Sequence, residues 1–169
     1  EDPDVLLLLE TDQRWADALA PVLARYPQRL DRPLDNTYGL MFATRLPMWR
    51  GEVRNIAEED TPSVFADLTT RGGRRFHYIG LHPRPPVPGQ DTDERDAEIA
   101  VAAREAGAER QPVLALGDFN DVAWSNTSRL FKRIGGYLDP RIGRGPFATF
   151  PADWVYLGWP LDHLFITPE

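Results

Sequence analysis

A single α/β domain whose strands bring polar groups to their carboxyl ends is the fold class these 169 residues predict. Three observations carry it. Short apolar runs at Val5–Leu9 and Val113–Leu116 suit strands buried on both faces, and each delivers polar residues at its carboxyl end. Segments with helical spacing are interspersed with them. No repeat, low-complexity tract or shift in composition marks a second domain, and this length can bury one sizeable core.

Taken in order, Asp4–Glu10 (DVLLLLE) reads as a buried strand ending in a carboxylate. A helix follows with Asp12 as its N-cap, and Trp15, Leu19, Val22, Leu23 and Tyr26 recur at helical spacing as core. Pro21 is expected to kink or divide it. Residues 27–37 read as loop. Tyr38–Thr44 is a strand, and Glu52–Ile56 a second one after the turn at Pro47. The acidic run Glu58–Asp60 reads as a solvated face.

Ser63–Thr70 and Arg74–His82 alternate apolar and polar residues across Arg-Gly-Gly-Arg, the pattern of a hairpin. Pro83–Gln90 is a proline-rich, stiff loop. Asp91–Gly107 reads as a helix, with Ile99, Ala102, Ala103 and Ala106 on one face and Gly107 just past its end. Ser125 caps a short helix carrying Leu130, Phe131 and Ile134 on one side. Arg141–Pro146 is a Gly/Arg loop, and Leu161–Thr167 is the final strand.

Composition narrows the function. A hydrophobic content of 42% and a charged content of 27% are those of an ordinary globular chain. The net charge of −7 argues against a broad nucleic-acid footprint, which shows as a basic face. With no cysteine there is no disulfide frame, thiolate chemistry or Cys-type zinc site. No apolar run approaches the roughly 18–20 residues needed to span a bilayer, and the opening Glu-Asp-Pro-Asp is no secretory signal. Compartment stays open.

Polar groups that suit chemistry stand at four strand ends: Glu10, His82, Asp118 with Asn120, and Asp162. Asp118 and Asn120 are two apart, so in extended backbone their side chains share a face. An acid and an amide on one face suit an oxygen-rich group such as a phosphate. The same residues are compatible with an Asx turn closing the strand. Glu10, His82 and Asp162 have equally plain readings as a helix start, a locally bonded imidazole and a turn. His163 follows Asp162 directly and so points to the other face, which removes it as a catalytic candidate.

These residues resemble the endonuclease/exonuclease/phosphatase superfamily of metal-dependent phosphodiesterases and phosphatases, which includes DNase I-like nucleases. The resemblance rests on PDVLLLLE, the strand ending in HPRPP, GDFN followed by Trp124-Ser125, and PLDHLF. LDPRIGRG and TFP are similar to a bacterial branch whose catalytic domain often follows membrane helices. It implies a four-layer α/β sandwich, two mainly antiparallel mixed sheets packed face to face with flanking helices. It also implies one domain over residues 1–169, lacking its first strand, which carries an asparagine, and a C-terminal Ser-Asp-His strand.

The resemblance further implies roles. Glu10 matches a ligand for Mg²⁺ or Mn²⁺, and Asp118 the group that orients or deprotonates the attacking water. Asn120 and His82 match holders of the phosphate, and Asp162 the partner of a histidine in the Ser-Asp-His motif. The implied partner is a phosphate-ester substrate, nucleic acid or lipid headgroup included, for a monomer with no obligate protein partner. Arg84, Arg95, Arg141 and Arg144 are candidate phosphate contacts, against the plainer reading of solvated surface arginines. Trp124 and Trp159 suit either stacking or packing. The competing expectation is a binding or scaffold module that keeps the fold without the chemistry.

Overall fold

The apolar runs and helical stripes order into the sequence β1 (Val5–Leu9), α1 (Gln13–Leu23), β2 (Gln28–Arg32), β3 (Leu40–Thr44), β4 (Met48–Asn55), β5 (Pro62–Thr69), β6 (Arg75–Leu81), α2 (Asp93–Ala108), β7 (Val113–Asp118), α3 (Asn126–Gly135) and β8 (Asp162–Ile166). The computed structural model describes residues 2–56, 59–85, 93–108, 111–145, 147–151, 153 and 158–168. The strands form a three-stranded sheet in the order β1-β3-β2 and a five-stranded sheet in the order β4-β5-β6-β7-β8. Every neighbouring pair is antiparallel except β6 and β7, whose crossover carries α2. The expected mixed, mainly antiparallel sandwich is the fold observed.

Three apolar layers hold it together. Between the sheets, Leu40 and Phe42 of β3 meet Val64, Ala66 and Tyr78 of β5 and β6, with Leu7, Leu9, Leu114 and Leu116 against them. Outside the small sheet, Leu23 and Tyr26 pack with Met41 and Ala43. Outside the large sheet, Ile99, Ala102 and Ala103 of α2 and Phe131 of α3 cover Phe65, Ile79, Leu81, Ala115 and Phe165. The layer order is therefore helix, sheet, sheet, helix. No helix among the described residues is long and apolar enough to cross a membrane.

Several local expectations are met and several are corrected. Asp12 and Ser125 are N-caps, accepting from the amides of Trp15 and Ser128, and Gly136 closes α3 in the left-handed region at φ 67°. The Arg-Gly-Gly-Arg hairpin forms between β5 and β6. Within residues 27–37, read as loop, Gln28–Arg32 is instead an edge strand on β3. Its QRLDR pattern is polar because an edge strand buries little, so apolar periodicity does not reveal it.

β4 begins at Met48, earlier than expected, with a bulge between Met48 and Arg50. Pro21 sits inside one unbroken helix. Trp15 and Val22 are 54% and 45% exposed, so the core stripe of α1 is narrower than its spacing implied. Leu130 is likewise exposed, at 44%. Gly107 does not end α2, which runs on to Ala108.

Candidate active site

Strand pairing is what assembles the rim. Leu81, the last residue of β6, is the parallel partner of Gly117, so His82 follows at the level of Asp118. On the other side of β7, Asp118 stands directly opposite Asp162. Glu10 arrives from the other sheet, one residue past β1, and its Oε1 lies 4.0 Å from His82 Nε2. Four of the expected positions, on four strands, thus meet across both sheets.

The backbone is bent to present them. Glu10 and Asn120 both lie in the left-handed region, at φ 58° and 47°, which non-glycine residues adopt only when their surroundings hold them there. Asn120 is held three ways. Its amide N–H donates to Asp118 Oδ1 at 2.7 Å, its Nδ2 donates to the Pro83 carbonyl at 2.9 Å, and its carbonyl accepts from Arg95 at 3.3 Å. The first of these bonds is the Asx turn itself. The Asx-turn reading of GDFN is therefore met, and the turn holds Asp118 and Asn120 beside the other candidate groups.

Charge at the rim is dominated by carboxylates. Burial pushes the Asp118 carboxyl above the usual carboxylate range, and neighbouring Asp162 and Glu10 push the same way against the Asn120 amide and His82. Burial lowers His82, overriding the pull of Asp118, Glu10 and Asp162. His82 is therefore kept neutral beside a carboxylate that binds its proton more tightly than usual.

Next to this rim stand one residue that sequence reasoning missed, Tyr38, and one it had as a candidate phosphate contact, Arg84. The Tyr38 ring packs on His82 with centroids 5.6 Å apart, and the Arg84 guanidinium lies 5.4 Å above Tyr38. Arg84 in turn bonds Asp60, which also receives Asn36. Asp60 thus anchors an arginine as well as facing solvent; Glu58 lies outside the described residues. Arg84 is the candidate phosphate contact within the HPRPP stretch. Tyr38 read merely as the start of a strand, and its place beside His82 comes from the pairing of loops above two different sheets.

Three of the four candidate phosphate-contacting arginines are engaged by protein groups. Arg84 bonds Asp60, Arg95 bonds Asp96 and the Asn120 carbonyl, and Arg141 bonds Asp139, His163 and the Asp162 carbonyl. Arg144 is exposed. Trp124 and Trp159 are not core; they are 55% and 53% exposed with ring centroids 6.3 Å apart. His163 is buried and Asp162 exposed, the alternation expected of a strand. Pro86 and Pro88 of the proline-rich loop lie outside the described residues.

As to a metal, no three His, Asp or Glu side chains among the described residues are grouped to hold one. Glu10 offers a single accessible carboxylate, 65% exposed.

The sequence matches the endonuclease/exonuclease/phosphatase family over residues 1–169. The chain belongs to that family. No curated protein matches it closely enough to report. Among solved structures, the human Nocturnin catalytic domain with bound sulfate is 16% identical at a TM-score of 0.74, with 98% of this chain and 69% of that one covered. TDP2 of D. rerio complexed with single strand DNA product is 17% identical at 0.73, covering 98% and 71%. Sphingomyelinase C from Streptomyces griseocarneus is 20% identical at 0.68, covering 97% and 70%. These likenesses establish the endonuclease/exonuclease/phosphatase fold and leave substrate to the residues of the site.

Two buried neutral imidazoles in this family member make acid stability a direct test. Burial lowers both His82 and His163. For each, the unfolded chain takes up its proton first, near an ordinary pKa of about 6.5, so folding stability is full above that pH. It is lost as pH falls from there toward the lowered folded values. Thermal midpoints are expected to decline between roughly pH 6.5 and 5, before most carboxylates titrate. His82→Gln should flatten part of that decline; an unchanged slope would show that His82 is not held neutral.

Proposed function

We propose that this chain carries the site of a metal-dependent phosphate-ester hydrolase. One observation carries the reading: Glu10, His82, Asp118 and Asp162 converge from four strands of two sheets, with Asn120 braced in a left-handed turn beside them. Membership of the endonuclease/exonuclease/phosphatase family supports the same class of reaction.

In this reading Asp118 orients the attacking water and takes its proton, a task suited to a carboxylate whose affinity for protons is raised by burial. His82, neutral and fixed against Tyr38, has one ring N–H with which to hold a phosphoryl oxygen. Asn120 spends one Nδ2 proton on Pro83 and keeps the other for the phosphate. Asp162, opposite Asp118, adds negative charge that makes the Asp118 carboxylate more basic.

The negative charge that Glu10, Asp118 and Asp162 bring to the rim favours a hard cation there, although the three are not grouped as a set of ligands. Mg²⁺ typically keeps several waters and is held by one or two carboxylates plus substrate oxygens, so Glu10 suffices as the protein's anchor without a closed cage. When bound, such an ion supplies Lewis acidity to the phosphoryl oxygens. Mn²⁺ suits the same donors.

Two of the compared proteins bear names that point to different esters, one complexed with single strand DNA product and one a sphingomyelinase. The reading for this chain accordingly stays with the shared phosphate-ester group. Hydrolysis of bis-p-nitrophenyl phosphate in Mg²⁺ or Mn²⁺ tests it. Either ion should also raise the thermal midpoint of the wild-type chain, by about 2.7 kcal/mol of stability at a hundredfold excess over its Kd. Glu10→Gln should abolish that rise. A wild-type midpoint indifferent to both ions, together with no turnover, would leave a binding module with a hydrolase fold.

A further inference from the structure

We propose that Arg141 is a positioning residue, which sets the spacing between the Asp162 end of β8 and the Asp118–Asn120 turn of β7. The inference rests on the phosphate-ester reading of the site. Nothing about Arg141 as a residue type demands the role, since an arginine beside a phosphate site more naturally contacts the phosphate. Its guanidinium is already committed. Nε and one terminal nitrogen form a fork on Asp139, each at 3.0 Å. The same terminal nitrogen meets His163 Nδ1 at 2.7 Å, and the other donates to the Asp162 carbonyl at 2.6 Å.

Those contacts fix a tautomer. A guanidinium only donates, so His163 Nδ1 must accept, and the ring proton sits on Nε2. Nε2 then donates to the Asp121 carbonyl at 2.7 Å. Asp121 is the residue after Asn120, and its carboxylate receives the hydroxyls of Ser125 and Ser128 at the start of α3. A continuous chain therefore runs from Asp139 through Arg141 and His163 to the GDFN turn, with a branch onto the backbone of Asp162. It crosses the two strands whose ends carry Asp118 and Asp162.

The chain is buried where rigidity counts. The side chain of Asp139 is 6% exposed and that of Arg141 17%, and His163 is 3% exposed between the rings of Phe119 and Phe165. Charge-assisted bonds in such surroundings are stronger and less forgiving than at the surface. Since Arg141 holds the carbonyl of Asp162 and the ring of its neighbour, loss of the guanidinium frees both sides of that strand end together. A lysine can make the point charge but not the fork.

The test pairs turnover with the state of His163. Arg141→Met should lower kcat by roughly 10–100-fold with KM nearly unchanged, the signature of misplacement by about an ångström. Arg141→Lys, the milder variant if the first folds poorly, should fall between. In ¹⁵N spectra the wild-type His163 should show protonated Nε2, held by the Asp121 carbonyl, and a bare Nδ1 that accepts from Arg141. In both variants the Nδ1 resonance should move as that donor is lost or weakened, while Nε2 keeps its proton. His163→Gln combined with Arg141→Met should lose little beyond the worse single variant. Wild-type kcat in the variants, or an unmoved His163 Nδ1 resonance, overturns the proposal. If the wild-type chain hydrolyses no phosphate ester, the reading of the site fails instead, and the spectra still decide whether the Arg141–His163 link exists.

Discussion

Asp118→Asn should abolish most turnover and stabilise the fold in the same step. The amide cannot take a proton from water, and loss of a general base costs about 10²–10⁴-fold in rate. Stability moves the other way for a reason visible in the geometry. Asp118 is a carboxylate pushed toward protonation first by burial and then by Asp162 and Glu10, so at neutral pH its ionised form weighs against folding. That penalty is relieved as pH falls through its raised folded pKa, the reverse of an ordinary salt-bridged aspartate. Asparagine removes the charge but keeps Oδ1 to accept from the Asn120 amide, now bonded at 2.7 Å. The thermal midpoint is therefore expected to rise, at roughly 2–4 °C per kcal/mol for a chain of this size. Calorimetry beside a turnover assay checks both halves. A variant less stable than wild type, or one with wild-type turnover, would remove Asp118 from its proposed role. A gain in stability at the cost of activity is what strained catalytic sites are expected to give.

Which parts of this were legible in the sequence follows from range. Strands buried on both faces announced themselves, because DVLLLLE and PVLAL carry their burial in their own side chains. The caps at Asp12 and Ser125 were legible for a similar reason, each being a bond across three residues. β2 was not, because its stability comes from a ladder with β3 that the residues Gln28–Arg32 do not encode in hydrophobicity. The exposure of Trp15 and Val22 was equally hidden; helical spacing shows which residues share a face, not how much of that face the sheet covers. At the site, Glu10, His82, Asp118, Asn120 and Asp162 could be read as strand ends. Arg141 could be read as a candidate phosphate contact in a Gly/Arg loop, but not as a residue committed to protein partners. Its four bonds join segments 2 to 22 residues away, and no local pattern reports such a closure.

Gly117→Ala is expected to damage the fold severely, and it does so through backbone alone. Gly117 sits at φ 145°, a conformation L side chains rarely adopt, and a Cβ there would stand 1.9 Å from the Leu81 carbonyl oxygen. The neighbour cannot step aside, because Leu81 is the ladder partner of Gly117 at the end of the parallel β6–β7 pair. Strain of about 1–3 kcal/mol from the dihedral adds to a comparable cost for forcing the strands apart. Together these come to about 2–6 kcal/mol, so the thermal midpoint should fall by roughly 4–24 °C at 2–4 °C per kcal/mol. The consequence for the site is specific. Gly117 lies between the apolar run and Asp118, and Leu81 immediately precedes His82, so displacing one from the other separates those two side chains before either is mutated. Activity should therefore be lost even at temperatures where Gly117→Ala remains folded. A variant with a wild-type midpoint would mean that β6 and β7 do not approach as described. Wild-type turnover in a destabilised variant would mean that His82 and Asp118 need not be held at their present spacing.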